Sequence, residues 1–299
     1  MRALILGCGY LGSRVANRWL AAGDEVWGLT RSDARGSRLV ELGIRPIVGD
    51  VTRRETLPAL TGFDVVLSSF GFDRASGHSA HDLYVGGLQN VLDRIGAGGN
   101  DGSRFIQISS TGVFGEQIDA WVDENTPCSP RRAGGVACLA AERLLATSAL
   151  ADRSIVLRLA GIYGPGRLPR RRELAASEPI AADPSGYLNL IHVDDATDVV
   201  VAAERRAPLP GLYVVSDGAP ARRAAFYAEI ARLLRLPAPR FLEPGRPPPG
   251  TERAFGSKRI DNSKLRAELG VRLRYPSYRE GLQAIVAEEL HSGGIAPSC

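Results

Sequence analysis

The first half of the chain alternates short apolar runs with stretches in which apolar residues recur every three to four positions. That is the pattern of a parallel sheet covered by helices on both faces. Strands are expected at 3–6, 25–30, 45–48, 64–68, 105–109 and 154–159. Helices are expected near 11–22, 33–42, 81–95 and 135–149, the third because Leu83, Leu88, Val91, Leu92 and Ile95 share one face. After Tyr163 the pattern loosens: Gly164-Pro165-Gly166 is a turn, and the arginine-rich segment behind it has no periodicity. Order returns at 187–193, followed by a helix from Asp194 to about Arg206, an apolar run at 212–215 and helices near 222–235, 261–269 and 276–290. The proline-rich stretch 243–250 stiffens the connection inside this last region and stops helix continuation.

Composition narrows the function classes. The 299 residues suffice for one α/β core with a smaller appended region, and the net charge of +4 is small for that length. The basic residues are arginines except Lys258 and Lys264, and they are scattered apart from a cluster at Arg170, Arg171 and Arg172. No basic stripe interleaved with aromatics is present, so no nucleic-acid partner is expected. The cluster fits a solvated face or an anionic small molecule. Cysteines at 8, 128, 138 and 299 have neither metal-ligand spacing nor a disulfide framework, so no metal is expected, and Cys8 and Cys138 read as small apolar residues in packed positions. The apolar run at 3–6 is too short for a secretion signal, and nowhere do about eighteen apolar residues run together. A soluble cytoplasmic protein with no membrane partner is expected.

Chemistry enters at Gly7-Cys8-Gly9-Tyr10-Leu11-Gly12, which follows a strand and opens a helix, the context a dinucleotide-binding loop requires. Gly7 permits the tight turn, Gly9 lets backbone approach a pyrophosphate, Gly12 lets helix and strand close up, and the helix N-terminus offers unpaired amides to the phosphates. The second strand ends at Thr30-Arg31, where an NAD-specific protein places a carboxylate on the ribose diol. Arg31, with Arg35 and Arg38 further along, favours NADP, with NAD as the alternative; Asp33 is the counterweight, and Arg31 also fits plain surface charge. Asp50 and Val51, just past the third strand, are placed for the adenine edge, although an aspartate there also serves as a turn or cap.

The glycine loop, Asp50 and the run Ile108-Ser109-Ser110-Thr111-Gly112-Val113-Phe114-Gly115 together resemble the extended short-chain dehydrogenase/reductase superfamily, of the nucleotide-sugar epimerase/dehydratase type. Glu124-Asn125-Thr126-Pro127-Cys128-Ser129-Pro130 is similar to the loop before that family's catalytic helix. The segment from Arg158 through Gly161 and Tyr163 to Gly166 resembles its stretch passing the nicotinamide. Leu190-Ile191-His192-Val193-Asp194-Asp195 and the segment 261–270 match two further family motifs. The resemblance covers nearly the whole chain. It implies a Rossmann-type doubly wound sheet, with residues 1–163 and 187–216 as the dinucleotide-binding domain and the rest of 164–299 as a smaller cap. It adds Ser68, Ser109 and Gly161 to the expected cofactor-binding residues, and a homodimer paired through the helices near 81–95 and 135–149.

The departure falls at the chemistry. The family's Tyr-x-x-x-Lys pair precedes a Leu-Ala-Ala-Glu stretch, and here Leu139-Ala140-Ala141-Glu142 puts Gly134 at the tyrosine position and Cys138 at the lysine position. Glycine has no proton to give, and a neutral thiol supplies no field to lower a neighbouring pKa. This is similar to the atypical subgroup that keeps the cofactor fold without the catalytic pair. The family hydroxyl persists as Ser110, with Thr111 beside it. Tyr163 and His192 are candidate proton donors, each with a packing alternative, and Asp194 and Asp195 read as helix caps. Tyr84 stands where the family commonly has an asparagine. The expected function is an NADP-dependent oxidoreductase acting on a small carbonyl or nucleotide-sugar-like substrate; the alternative is a non-catalytic NADPH-binding sensor.

Overall fold

A computed structural model describes residues 1–72, 77–96, 103–115, 117–242 and 256–291. The proline-rich stretch 243–250 and Cys299 lie outside the described residues. Seven strands form the central sheet: β1 (Arg2–Leu6), β2 (Glu25–Thr30), β3 (Arg45–Val48), β4 (Val65–Ser68), β5 (Arg104–Ser110), β7 (Ser154–Leu159) and β11 (Gly211–Val215). Their spatial order is β11-β7-β5-β4-β1-β2-β3 and every pairing is parallel, the doubly wound arrangement expected. Three expected strands, 25–30, 45–48 and 154–159, have the observed bounds.

Side chains alternate across this sheet. Ala3, Ile5, Val65 and Leu67 point to one face, where they meet α1 (Gly12–Ala21), α2 (Asp33–Glu41) and α6 (Val193–Arg206) through Val15, Trp19, Leu39 and Val199. Leu4, Leu6, Val66 and Phe105 point to the other, where Val91 and Ile95 of α3 (Gly87–Gly96) and Ala141 and Leu145 of α4 (Ala133–Ala146) cover them. Each fully buried aliphatic contributes about 1.5–3 kcal/mol, so two filled faces fix strand order and register.

The chain reverses its direction of winding between β1 and β4, which opens the crevice at their carboxyl ends where ligands of such sheets bind. A third apolar core lies beyond the sheet's carboxyl edge. Leu174 of α5 (Arg171–Ala175), Phe226 and Ile230 of α7 (Arg223–Leu234), and Tyr278, Leu282 and Ile285 of α9 (Tyr278–His291) build it. Short pairs join this core to the sheet: β8 (Gly161–Tyr163) with β10 (Leu190–His192), β9 (Tyr187–Leu188) with β12 (Ala221–Arg222), and β6 (Ile118–Val122) with β13 (Ser257–Ile260). The remaining helix, α8 (Ser263–Leu269), packs Leu265 and Leu269 into the first core. Among the described residues no helix is long and apolar enough to cross a membrane, and no group of three His, Cys, Asp or Glu could hold a metal.

The arginine-rich segment, which showed no periodicity, forms the short α5 and is tied down by charge. Arg170 pairs with Glu173 at 2.5 Å, and Arg171 with Glu289 of α9 at 2.8 Å.

Candidate active site

The glycine loop is shaped by contacts that exclude any side chain. Gly7 adopts φ +103°, and a Cβ there would lie 2.8 Å from the Ser69 carbonyl oxygen. A Cβ on Gly12 would lie 2.3 Å from the Gly7 carbonyl oxygen, so β1 and α1 meet backbone to backbone. Gly9 is exposed and a Cβ on it would meet nothing within 4 Å. The loop is therefore closed toward the protein at Gly7 and Gly12 and open at Gly9, in front of the α1 amides. Leu11 is buried at the start of α1. Tyr10 reaches the other way: its hydroxyl donates to the Pro165 carbonyl at 2.9 Å, and the guanidinium carbons of Arg14 and Arg167 lie 4.3 and 5.3 Å from its ring centroid. The loop thus holds the turn that follows β8.

Arg31 at the end of β2 and Arg35 on α2 are exposed, and among the described residues neither is in an ion pair. Asp50 is half-buried, accepting from the Thr52 amide at 2.9 Å and the Thr52 hydroxyl at 2.7 Å. Burial alone would raise its pKa. The Thr52 hydrogen bonds and the charges of Arg31 and His78 outweigh that and hold the carboxyl below the usual range. Arg31 and Asp50 thus share one patch beside the crevice. Val51 is buried against α3, its carbonyl accepting from Asn90 at 2.8 Å.

On the opposite side, β5 ends at Ser110, which caps the 3-10 turn Thr111–Phe114 by accepting from the Gly112 amide at 3.1 Å. Its hydroxyl proton remains available, and the residue is half-exposed. Thr111 is buried, so the hydroxyl presented here is that of Ser110. Ser109 points to the interior and donates to Glu142 at 2.5 Å; Glu142 in turn accepts from Arg158 at 2.7, 3.1 and 3.2 Å. Ser109 is thus part of the floor beneath the site. Ser68 is also enclosed, fully buried with its hydroxyl unpartnered. It is the neighbouring Ser69 that touches the loop, donating to the Gly7 carbonyl at 2.9 Å. Gly161 is half-buried and donates to the Asn189 carbonyl at 3.0 Å.

The N-terminal turn of α4 packs on this hydroxyl-bearing turn, since a Cβ on Gly135 would lie 2.6 Å from the Gly112 carbonyl oxygen. Gly134 is exposed, and a Cβ there would meet nothing within 4 Å. A side chain could therefore begin at this position without meeting protein atoms. Cys138, one turn later on the same face, is buried, and burial pushes its thiol up to about 11; Cys8 is pushed up to about 12 by the same cause. Both thiols stay neutral, as their packed positions require.

Two sequence candidates for proton transfer take their packing alternatives. Tyr163 has no exposed surface: its ring meets those of His192 and Phe226 edge-on at 5.3 and 6.3 Å, and a Cβ on Gly281 would lie 2.0 Å from its hydroxyl. Burial holds its phenol far above the ordinary range. His192 is 1% exposed and is itself the cap of α6, its Nδ1 accepting from the Asp194 amide at 3.2 Å. Burial drives its pKa down to about 4. Asp194 and Asp195 therefore lie inside the first turn rather than capping it; Asp195 accepts from the Arg274 and Tyr275 amides at 2.7 and 3.0 Å.

Some neighbours of the site carried no local sequence signal. Lys258 of β13 donates to the Gly115 carbonyl at 2.9 Å, bringing a distant lysine to the end of the Ser110 turn. Tyr84 lies in a π-helical turn, Asp82–Gly86, and packs in the cluster that holds Cys138. Only a residue-by-residue contrast with the family pattern singles it out.

The family model for the NAD dependent epimerase/dehydratase family matches residues 3–216. The chain belongs to that family, and it is an oxidoreductase of epimerase/dehydratase type with NAD(P) as the family's cofactor. It is 30% identical to "Protein YeeZ" of Escherichia coli (strain K12), over 92% of this chain and 96% of that protein. It is 27% identical to a 4-hydroxy-2-methyl-3-oxo-4-farnesyl-3,4-dihydroquinoline-1-oxide ketoreductase of Stigmatella aurantiaca, over 76% and 71% of the two chains. Among solved structures, a functionally unknown conserved protein from Silicibacter pomeroyi DSS superposes with a TM-score of 0.80 at 29% identity, covering 96% of this chain and 98% of that one.

Proposed function

We propose that this chain is an NADP-dependent oxidoreductase that acts on a small carbonyl or nucleotide-sugar-like substrate with a proton donor other than the family pair. The observation that carries the reading is the open face of Gly9 at the sheet's switch point, with the half-exposed Ser110 at the end of a neighbouring strand. Gly7, Gly9, Tyr10, Leu11 and Gly12 would hold the pyrophosphate, Asp50 and Val51 the adenine, and backbone at Ser68, Ser109 and Gly161 the remainder. When bound, the nicotinamide supplies or takes up a hydride. Ser110 donates to the substrate oxygen and orients it, while the cap formed from 164–299, less 187–216, excludes water. The named ketoreductase relative supports carbonyl reduction. We take α3 and α4 as the homodimer face and the cytoplasm as the location.

The exposed Arg31 and Arg35 support a 2′-phosphate. Arg31→Asp is expected to weaken NADPH binding about tenfold and to improve NADH binding, read by cofactor fluorescence. Equal affinities before and after would remove Arg31 from the site. The absent Tyr-Lys pair favours a second reading, a non-catalytic NADPH sensor. NADPH oxidation with any member of a panel of nucleotide sugars and small carbonyls excludes the sensor; a silent panel favours it.

A further inference from the structure

We infer that Tyr84 is the proton donor of this site, supplied from the π-helical turn before α3 in place of a residue on α4. The inference rests on the oxidoreductase reading above.

Position comes first. The Gly134 and Cys138 positions share one face of α4, and Tyr84 packs in the apolar cluster formed by Cys138, Leu139, Val113 and Phe114. Its ring therefore packs against α4 and the turn that follows Ser110, on the helix whose Gly134 carries no side chain. Phe72, in the loop after β4, closes the other side with ring centroids 6.4 Å apart. The π-helical turn, Asp82–Gly86, is what places it: a π-bulge shifts the side chains before it relative to those after it, and such bulges recur at functional sites.

The electrostatics suit a donor. The Phe72 backbone favours the ionised form of the phenol and so stabilises the phenolate left after proton transfer. Burial outweighs this in the resting protein and raises the phenol pKa, so the proton is in place at neutral pH. Among titratable groups on the packed elements, Cys138 on α4 bears on the phenol; the loop at 70–72 and the turn at 111–114 carry none. The other tyrosine considered, Tyr163, is enclosed in the cap core.

In reduction, the substrate C=O π bond breaks as its carbon takes a hydride from reduced nicotinamide and its oxygen takes the Tyr84 proton. The products are an alcohol, an oxidised nicotinamide and a phenolate, which water reprotonates.

The test is an ultraviolet difference titration of the full-length wild type against Tyr84→Phe, without cofactor and with saturating NADP+. A positively charged nicotinamide beside the phenol lowers its midpoint, so at a fixed alkaline pH the phenolate population should rise about tenfold on binding. A midpoint that NADP+ leaves unmoved overturns the assignment. In parallel, on any carbonyl compound the wild type reduces, Tyr84→Phe should lose about 10²–10⁴-fold in turnover while NADPH affinity is retained. Turnover within about threefold of wild type would also overturn it. If no dinucleotide binds at all, fluorescence shows it directly, and the oxidoreductase reading falls with the inference.

Discussion

Two buried polar clusters flank this site, and they are built in opposite ways. Beneath β5 and α4, Ser109, Glu142 and Arg158 are joined by short hydrogen bonds, with the Arg158 guanidinium 5.1 Å from the Phe114 ring. At the seam between sheet and cap, the Tyr163 hydroxyl, His192 Nε2 and Asp217 Oδ2 are buried without partners. The first cluster spends most of its polar atoms on each other, with Arg158 Nη1 left without a hydrogen-bond partner, and makes the floor for the Ser110 turn. The second leaves polar atoms stranded because aromatic packing among Tyr163, His192, Phe226 and Tyr275 determines where they sit. Tyr163 and His192, which resemble catalytic groups in the sequence, thus lie in the seam as packing elements, while Ser110 remains half-exposed.

Breaking the floor should have the largest effect. Glu142→Gln leaves Arg158 buried without its counter-charge, and the unfolding free energy should fall by about 3–5 kcal/mol in a denaturant titration. A loss under about 1 kcal/mol would mean that the pair is solvated and the contrast fails.

The seam should show itself through pH. Burial lifts Asp217 to about 8, so the folded state keeps a proton that the unfolded chain releases near pH 4. Between those values the folded state binds more protons, and stability falls as pH rises, by at most about 1.4 kcal/mol per unit. His192 acts in the other direction: depressed to about 4, it costs stability as pH falls below about 6.5. Of the two, Asp217 acts alone from about pH 6.5 to 8. Wild type should lose thermal stability across that window, and Asp217→Asn should flatten the loss. An unchanged slope would show that the carboxyl reaches solvent.

The smallest effect sharpens the comparison most finely. Tyr163→Phe removes a hydroxyl that has no partner, so stability should change by less than about 1 kcal/mol and turnover should be unaltered. A large loss of turnover would restore Tyr163 to the chemistry.

The parallel sheet was legible because its strands are bounded by turn residues and separated by helices with a clear apolar face, as at Val91, Leu92 and Ile95. The glycine loop was legible because backbone contacts at Gly7 and Gly12 demand a residue type. The short strands β8, β12 and β13 were not, since each of their partners lies many residues away and two to four residues carry no period. The π-helical turn at Asp82–Gly86 has no compositional mark, so the position of Tyr84 had to come from the fold. Burial of Tyr163 depended on α7 and α9 packing over it, and that of His192 on the Tyr163 and Tyr275 rings, tertiary outcomes invisible in their local sequence.

Fluorescence titration of the purified chain with NADPH and NADH decides whether this cradle holds a phosphorylated nicotinamide dinucleotide. Saturable NADPH binding at one site per chain, about tenfold tighter than NADH, is the result predicted. Fluorescence that rises linearly without saturating for either dinucleotide would contradict it.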